Sequence, residues 1–256
     1  MDEALIRQAA QKIKDARRMI AFTGAGISVE SGIPPFRGPD GLWSRYDPQV
    51  LDLSYFQSYP DDSWQVIKEI FYDFFGAAQP NPGHEALARL ESAEILHGII
   101  TQNIDNLHQE AGNQDVIEFH GTSRRLTCIS CQQTLKFQPV LFSSMPPSCP
   151  DCGGLLKPDF IFFGEGIPPQ AYQRSLEETQ LAEVWLVVGT TGEIMPASML
   201  PIEAQRNGTL IIEVNLHPSN YTDTITDIFL QGKASEVLKA LSDAVVDSTS
   251  ASHHRF

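Results

Sequence analysis

The sequence predicts an α/β protein, a Rossmann-like parallel sheet domain carrying a second, smaller domain, and three observations predict it. Short runs at Met19–Thr23, 98–101, 160–163, Val184–Val188 and 210–214 are apolar and rich in β-branched or aromatic residues, the pattern of strands covered on both faces. Helix-length stretches at 84–93, 170–182, 197–205 and 234–246 separate some of them, and such alternation places helices on the faces of one sheet. Two long segments break the alternation, 36–82 and 121–158, and the second holds all four cysteines. They read as insertions that together build the smaller domain, one helical and one cysteine-rich. The large domain is then discontinuous, over 1–35, 83–120 and 159–246, and the polar stretch 247–256 is a flexible tail.

At 256 residues the chain can bury a sizeable core, and no apolar run approaches the length of a membrane span. The start is charged and amphipathic rather than a signal peptide, and Leu5, Ala9, Ile13 and Ala16 recur at helical spacing, so a first helix is expected. A cytoplasmic setting without a membrane partner is the expectation. The formal net charge of -14 lacks the basic footprint of a dedicated nucleic-acid binder. The acidity is spread along the chain, which fits an ordinary solvated surface and also attraction to basic protein partners.

The residues just after each apolar run carry the functional signal. Gly24-Ala25-Gly26 comes after the first, Gln102-Asn103-Ile104-Asp105 after the second, Gly164-Glu165 after the third, Gly189-Thr190-Thr191 after the fourth and Asn215 after the fifth. Ligands of open α/β sheets occupy the crevice at the carboxyl ends of the strands, so five such loops are candidates for one site. Turns are rich in Gly, Asn and Thr in any case, so it is the number of loops in register that counts.

The first turn, Gly-x-Gly after a strand, allows close backbone approach to a pyrophosphate. It departs from the dinucleotide fingerprint, because Val29 stands where a third glycine or alanine belongs and no strand-end acid follows about 20 residues on. Instead comes "PPFRGPDGLW". Arg37 could pair with a phosphate and Phe36 could cover a planar ring; equally, the loop could be rigid with Phe36 and Trp43 packed inward. At the second turn the apolar run Ile99-Ile100 gives way to two amides and a carboxylate, Gln102, Asn103 and Asp105. None is a strong nucleophile, so they read as groups that hold a ligand.

Cys128-x-x-Cys131 and Cys149-x-x-Cys152 are separated by 17 residues, the spacing of a four-thiolate zinc ribbon. Four protein ligands leave no open position, so one structural Zn2+ is expected rather than a catalytic metal. His120, in "VIEFHG", ends a short apolar run between the sheet domain and the cysteine segment. A cleft between lobes is where a general base would stand, though a lone histidine is as well explained structurally. His84, His97, His108 and His217 take the structural reading.

Together, "GAGISVESGIPPFRG", "TQNIDNLH", "FHG", the paired Cys-x-x-Cys, "KPDFIFFGE", "GTTGEIMPA" and "EVN" resemble the sirtuins, the NAD-dependent protein deacylases. The matches run in the family's order from about residue 20 to residue 235. The resemblance implies NAD between a large dinucleotide-binding lobe and a small zinc lobe. It implies Gly24, Ala25 and Gly26 at the phosphates with Arg37 nearby, and Phe36 shielding the nicotinamide side. Gln102 and Asn103 would hold the nicotinamide ribose, Ile104 and Asp105 the carboxamide, Gly189 and Thr190 the path of phosphates and adenosine, and Asn215 the adenine ribose. Asn103 would belong with His120 to the catalytic set, His120 being the base. Phe163, Gly164 and Glu165 would flank an acyl-lysine peptide that adds as a strand between this loop and Glu193–Pro196. The implied reaction sets the acyl oxygen against the anomeric carbon, expels nicotinamide, and ends with free lysine and O-acyl-ADP-ribose.

Sirtuins that remove succinyl or malonyl groups carry a Tyr and an Arg, three apart, in the helical module. Here Ile67 and Ile70 align with them, so acetyl or a longer apolar acyl group is expected. Glu193, beside the implied peptide path, could favour basic flanking residues. The same site could instead transfer ADP-ribose to a protein or hydrolyse NAD, and a non-catalytic NAD-sensing module is a third reading.

Overall fold

The structure, a computed structural model, describes residues 2–36 and 41–250. The chain opens on helix α1 (Glu3–Asp15), which Asp2 caps by accepting from the N–H groups of Ala4 and Leu5. Its buried stripe is Ile6, Ala9, Ala10 and Ile13, rotated slightly from the expected one. Strand β1 (Met19–Thr23) comes next and is buried at every position.

The insertion after β1 forms α2 (Leu53–Ser58) and α3 (Pro60–Ile67), the latter running on into π-helical turns over Lys68–Phe74. Then come α4 (Pro82–Ser92), β2 (Leu96–Thr101), α5 (Leu107–Ala111) and β3 (Val116–Glu118). The cysteine segment supplies β4 (Gly121–Cys128), β5 (Thr134–Lys136) and β6 (Leu156–Phe160). The chain ends through α6 (Pro169–Leu181), β7 (Val184–Val188), α7 (Met199–Arg206), β8 (Leu210–Asn215), β9 (Ile228–Gln231) and α8 (Ala234–Ser250). Helix α8 carries four residues into the segment read as a tail; 251–256 lie outside the described residues.

Six strands form one parallel sheet in the order β3-β2-β1-β7-β8-β9. Alternation within β1 sorts its side chains between two cores. Met19 and Ala21 join Leu87 and Leu90 of α4 and Val237, Leu238 and Leu241 of α8, while Ile20 and Phe22 join Trp185 and Leu200 and Ala204 of α7. The strand order turns back between β1 and β7, so the crevice of the fold opens there, at the carboxyl ends.

The run 160–163 does not join this sheet. The strand is β6, which pairs antiparallel with β4 in a three-stranded sheet with β5. Leu156, Pro158 and Phe160 are buried and Lys157 and Asp159 are not, so β6 is covered on one face; the apolar run continues because Phe162 is buried in the smaller core. Strands β3 and β9 complete the parallel sheet in its place. The smaller core joins both insertions: Phe56, Trp64, Ile67 and Phe71 pack with Leu126, Leu156, Phe160 and Phe162, and Trp64 Nε1 donates to Leu156 O at 2.9 Å. No helix among the described residues is long and apolar enough to cross a membrane.

Candidate active site

Loops from the ends of β1 and β7 touch at the switch point. Gly26 N–H donates to Gly189 O at 2.8 Å, and a Cβ on Gly26 would lie 2.6 Å from Gly189 Cα. On Gly24 it would lie 2.8 Å from Gly189 O. Gly189 itself has φ 62°, the left-handed region that favours glycine. These glycines therefore let two loops meet backbone to backbone, a requirement separate from any approach to a phosphate. Ala25 lies half-buried between them.

From that contact a chain of side chains crosses the strand ends. Asn103 Nδ2 donates to Gly24 O and to Ser28 Oγ, both at 3.2 Å, and Asn103 N–H donates to Thr101 Oγ1 at 3.0 Å. Ser28 Oγ–H donates to Asp105 Oδ2 at 2.7 Å, and Leu107 N–H to Asp105 Oδ1 at 3.0 Å. Burial pushes the Asp105 carboxyl above its ordinary range, opposed by those bonds. Ile104 O accepts from Asn106 Nδ2, Ser123 Oγ and Ser123 N–H, whereas Ile104 N–H has no partner among the described residues. Gln102 Nε2 donates to Thr190 Oγ1 at 3.2 Å, and Asn215 Nδ2 to Thr190 O at 2.9 Å.

His120 stands just beyond β3, half-buried, with Nδ1 3.0 Å from Gln102 O. A carbonyl oxygen can only accept, so Nδ1 carries the proton and Nε2 keeps its lone pair. Burial pushes the imidazole below its ordinary 6.5, against that bond, which favours the charged form. The result is an oriented imidazole held toward its neutral form. The ends of β1, β2, β3, β7 and β8 are thus linked by Gly24, Asn103, Gln102, His120, Gly189, Thr190 and Asn215.

Under this layer lie two histidines for which the sequence suggests only a structural reading. His84 Nε2 is 3.4 Å from Ser28 Oγ and His108 Nε2 is 2.9 Å from Thr23 Oγ1, with the rings 5.0 Å apart. Sequence reasoning also missed Ser28, which bonds both Asn103 and Asp105; its one signal is a small hydroxyl just after the Gly-x-Gly turn.

Phe36 is half-buried against Trp43 and Phe71, at ring distances of 5.6 Å and 6.4 Å. Arg37 lies outside the described residues. Phe163 is exposed, and its backbone pairs with Leu51 O and Leu53 N–H. Gly164 is exposed with no backbone partner among the described residues, and Glu193 is likewise exposed. Glu165 turns inward, its Oε2 accepting from Phe162 N–H at 2.7 Å.

The four cysteines are free thiols whose Sγ atoms all lie within 4.8 Å of one another, with Cys128–Cys152 at 3.5 Å and Cys131–Cys149 at 3.8 Å. Zn–S bonds of about 2.3 Å at tetrahedral angles require sulfurs about 3.8 Å apart, so the set is arranged to bind a zinc ion. Cys128 and Cys149 are buried in the smaller core.

A sequence profile of the Sir2 family matches residues 24–196. NAD-dependent protein deacylase 2 of Pyrobaculum aerophilum is 43% identical over 241 residues, 92% of this chain and 94% of that protein. A solved Sir2 homologue in complex with NAD superposes with a TM-score of 0.87 at 38% identity, over 97% of this chain and 95% of that one. A Sir2 mutant with a deacetylated p53 peptide and 3'-O-acetyl ADP-ribose gives 0.86 at 33% identity, over 93% and 97%.

Proposed function

The chain belongs to the Sir2 family, and on that premise we propose that it is an NAD-dependent protein lysine deacylase that consumes NAD and an acyl-lysine peptide. The observation that carries the reading is the convergence of an oriented, uncharged His120, the Asn103–Ser28–Asp105 group and the touching glycine loops on one set of strand ends. The donor set fits the cosubstrate. Asp105 offers a carboxylate and Ile104 an N–H with no partner among the described residues, the acceptor and donor that a carboxamide needs. Gln102 and Asn103 offer amides to ribose hydroxyls, and Asn215 with Thr190 and Gly189 does the same toward the adenosine end. Bound there, NAD supplies an anomeric carbon with nicotinamide as the leaving group.

The chain's own groups do the rest. Asn103, fixed by three hydrogen bonds, positions the ribose; His120 Nε2 takes a proton from a ribose hydroxyl; Phe36 screens the site from water. The exposed backbone at Gly164, with no partner among the described residues, supports addition of the peptide as a strand there, with Phe163 and Glu193 beside it. Zinc, held by Cys128, Cys131, Cys149 and Cys152, is structural and supports the smaller core. Ile67 and Ile70 are both buried in the smaller core, so neither presents a cation to an acidic acyl group, which supports acetyl or longer apolar acyl chains. The net charge of -14 supports basic flanking residues in the peptide and no direct nucleic-acid partner, and the free thiols support a cytoplasmic setting.

The test is mass spectrometry of products from NAD and acetyl-, long-chain acyl- and succinyl-lysine peptides, each with basic or acidic flanks. O-acyl-ADP-ribose from the acetyl or long-chain peptides, with basic flanks preferred, is the expected result. Nicotinamide release without any O-acyl-ADP-ribose would favour the hydrolase or ADP-ribosyl transfer reading, and efficient desuccinylation would refute the acyl assignment.

A further inference from the structure

Lys157 is a charged residue in an apolar place. Its side chain is 12% exposed and its Nζ is 4.2 Å from the centroid of the Phe162 ring. All three ammonium donors are used: Pro158 O at 2.8 Å, Phe160 O at 2.9 Å and Glu165 Oε2 at 3.0 Å. The same Glu165 oxygen accepts from Phe162 N–H, and Glu165 N–H donates to Phe162 O at 3.0 Å. The turn from Phe162 to Glu165 is therefore closed by its own backbone and fastened from inside by one cation. On its outer side Phe163 is exposed and Gly164 has no backbone partner among the described residues.

The fastening leads back to the zinc ribbon. Lys157 pairs with Thr127 in the β4–β6 register, and the preceding pair is Cys128 with Leu156. The residue paired with Cys128 is thus the immediate neighbour of the one whose ammonium holds the turn.

We propose that Lys157 is a positioning residue for the acyl-lysine peptide, its ammonium holding the Phe162–Glu165 turn in the shape that offers Gly164 to a substrate strand. The proposal rests on the deacylase reading and adds to it a route by which the zinc ribbon sets peptide affinity. Lys157 touches neither substrate; Glu165, fastened to it, acts through the shape of the turn.

The experiment measures KM for an acetyl-lysine peptide and for NAD with the full-length, zinc-loaded protein, in wild type, Lys157→Met, Glu165→Gln and the double variant. Each single change leaves a buried group without its charged partner and should raise peptide KM about tenfold or more, with the KM for NAD within about twofold. The double variant should be no worse than Lys157→Met alone, because both changes undo one fastening. Should Lys157→Met fail to fold, Glu165→Gln carries the same comparison. Lower thermal stability with unchanged peptide KM, or equal rises in both KM values, would overturn the proposal. An inactive wild type would remove the functional reading and this proposal with it; an active wild type whose variants keep their peptide KM would remove the fastening alone.

Discussion

Acid should weaken this fold through the imidazoles beneath the site, and replacing His84 by Asn should remove a measurable part of that weakening. His84 is fully buried at the start of α4, where its Nδ1 accepts from Asn81 N–H at 3.3 Å. Burial pushes its pKa down to about 4 from an ordinary 6.5. Between those values the unfolded chain binds a proton that the folded chain refuses. The unfolded state then holds more protons, so stability rises with pH and is lost as pH falls through 6.5, the loss levelling off below about 4. At about 1.36 kcal/mol per pH unit, His84 alone removes roughly 1.8 kcal/mol between pH 7 and pH 5. His108, pushed down by burial and then by His84, acts in the same sense. Asp105, pushed up by burial, acts in the opposite one at lower pH. The assay is urea denaturation of wild type and His84→Asn across pH 5 to 7. The variant starts from lower stability, having lost its contact with Ser28, but its curve should be flatter by about that 1.8 kcal/mol. Comparing the two proteins cancels the acid release of zinc, which both share. Parallel curves would mean that the buried ring titrates as it does in water, and would refute the reasoning.

Three further outcomes are expected at the site. His120→Ala should lower deacylation about 10²–10⁴-fold while calorimetry finds NAD affinity within a few-fold of wild type; loss of NAD binding would contradict its assignment as base. In the wild type, kcat/KM should fall as pH drops through a midpoint below 6.5, because the base must be uncharged and burial lowers its pKa; a midpoint above 6.5 would place the proton on another group. Gly26→Ala puts a methyl group 2.6 Å from Gly189 Cα, an overpacking worth about 1–3 kcal/mol of stability, and should weaken NAD binding by calorimetry as the two loops part; unchanged stability and affinity would show that the contact yields freely.

How much the sequence discloses depends on whether a residue's partner is near it in the chain. The central strands β1 and β7 are legible because every residue in them is apolar or, at Thr23, β-branched, and the four thiolates because each pair forms a local knuckle. The polar ends at Gly24, Gln102, Asn103, Gly189 and Asn215 are legible as a group, and the structure joins them. The run 160–163 misleads because its apolar residues serve the smaller core rather than the large sheet, and composition does not distinguish the two destinations. Strand β9 escapes notice because only Ile228 and Leu230 of its four residues are buried. Lys157 is a lone cation before a proline in the sequence, and its partner is eight residues away across a turn. Its one signal is position, a charge amid apolar residues that burial would oblige to find a partner.

The two sheets meet at His120. Strand β3 of the parallel sheet ends two residues before His120, and β4 of the small sheet begins at Gly121, where φ is 76° and a Cβ would lie 2.1 Å from Asp159 O. His120 O accepts from Ile161 N–H at 2.9 Å, so its backbone is bonded to the segment that leads into the Phe162–Glu165 turn. Its ring is bonded the other way, to Gln102 O at the end of β2. His120 is therefore bonded through its backbone to the segment after β6 and through its ring to the end of β2, so its imidazole is held where the small antiparallel sheet joins the parallel one.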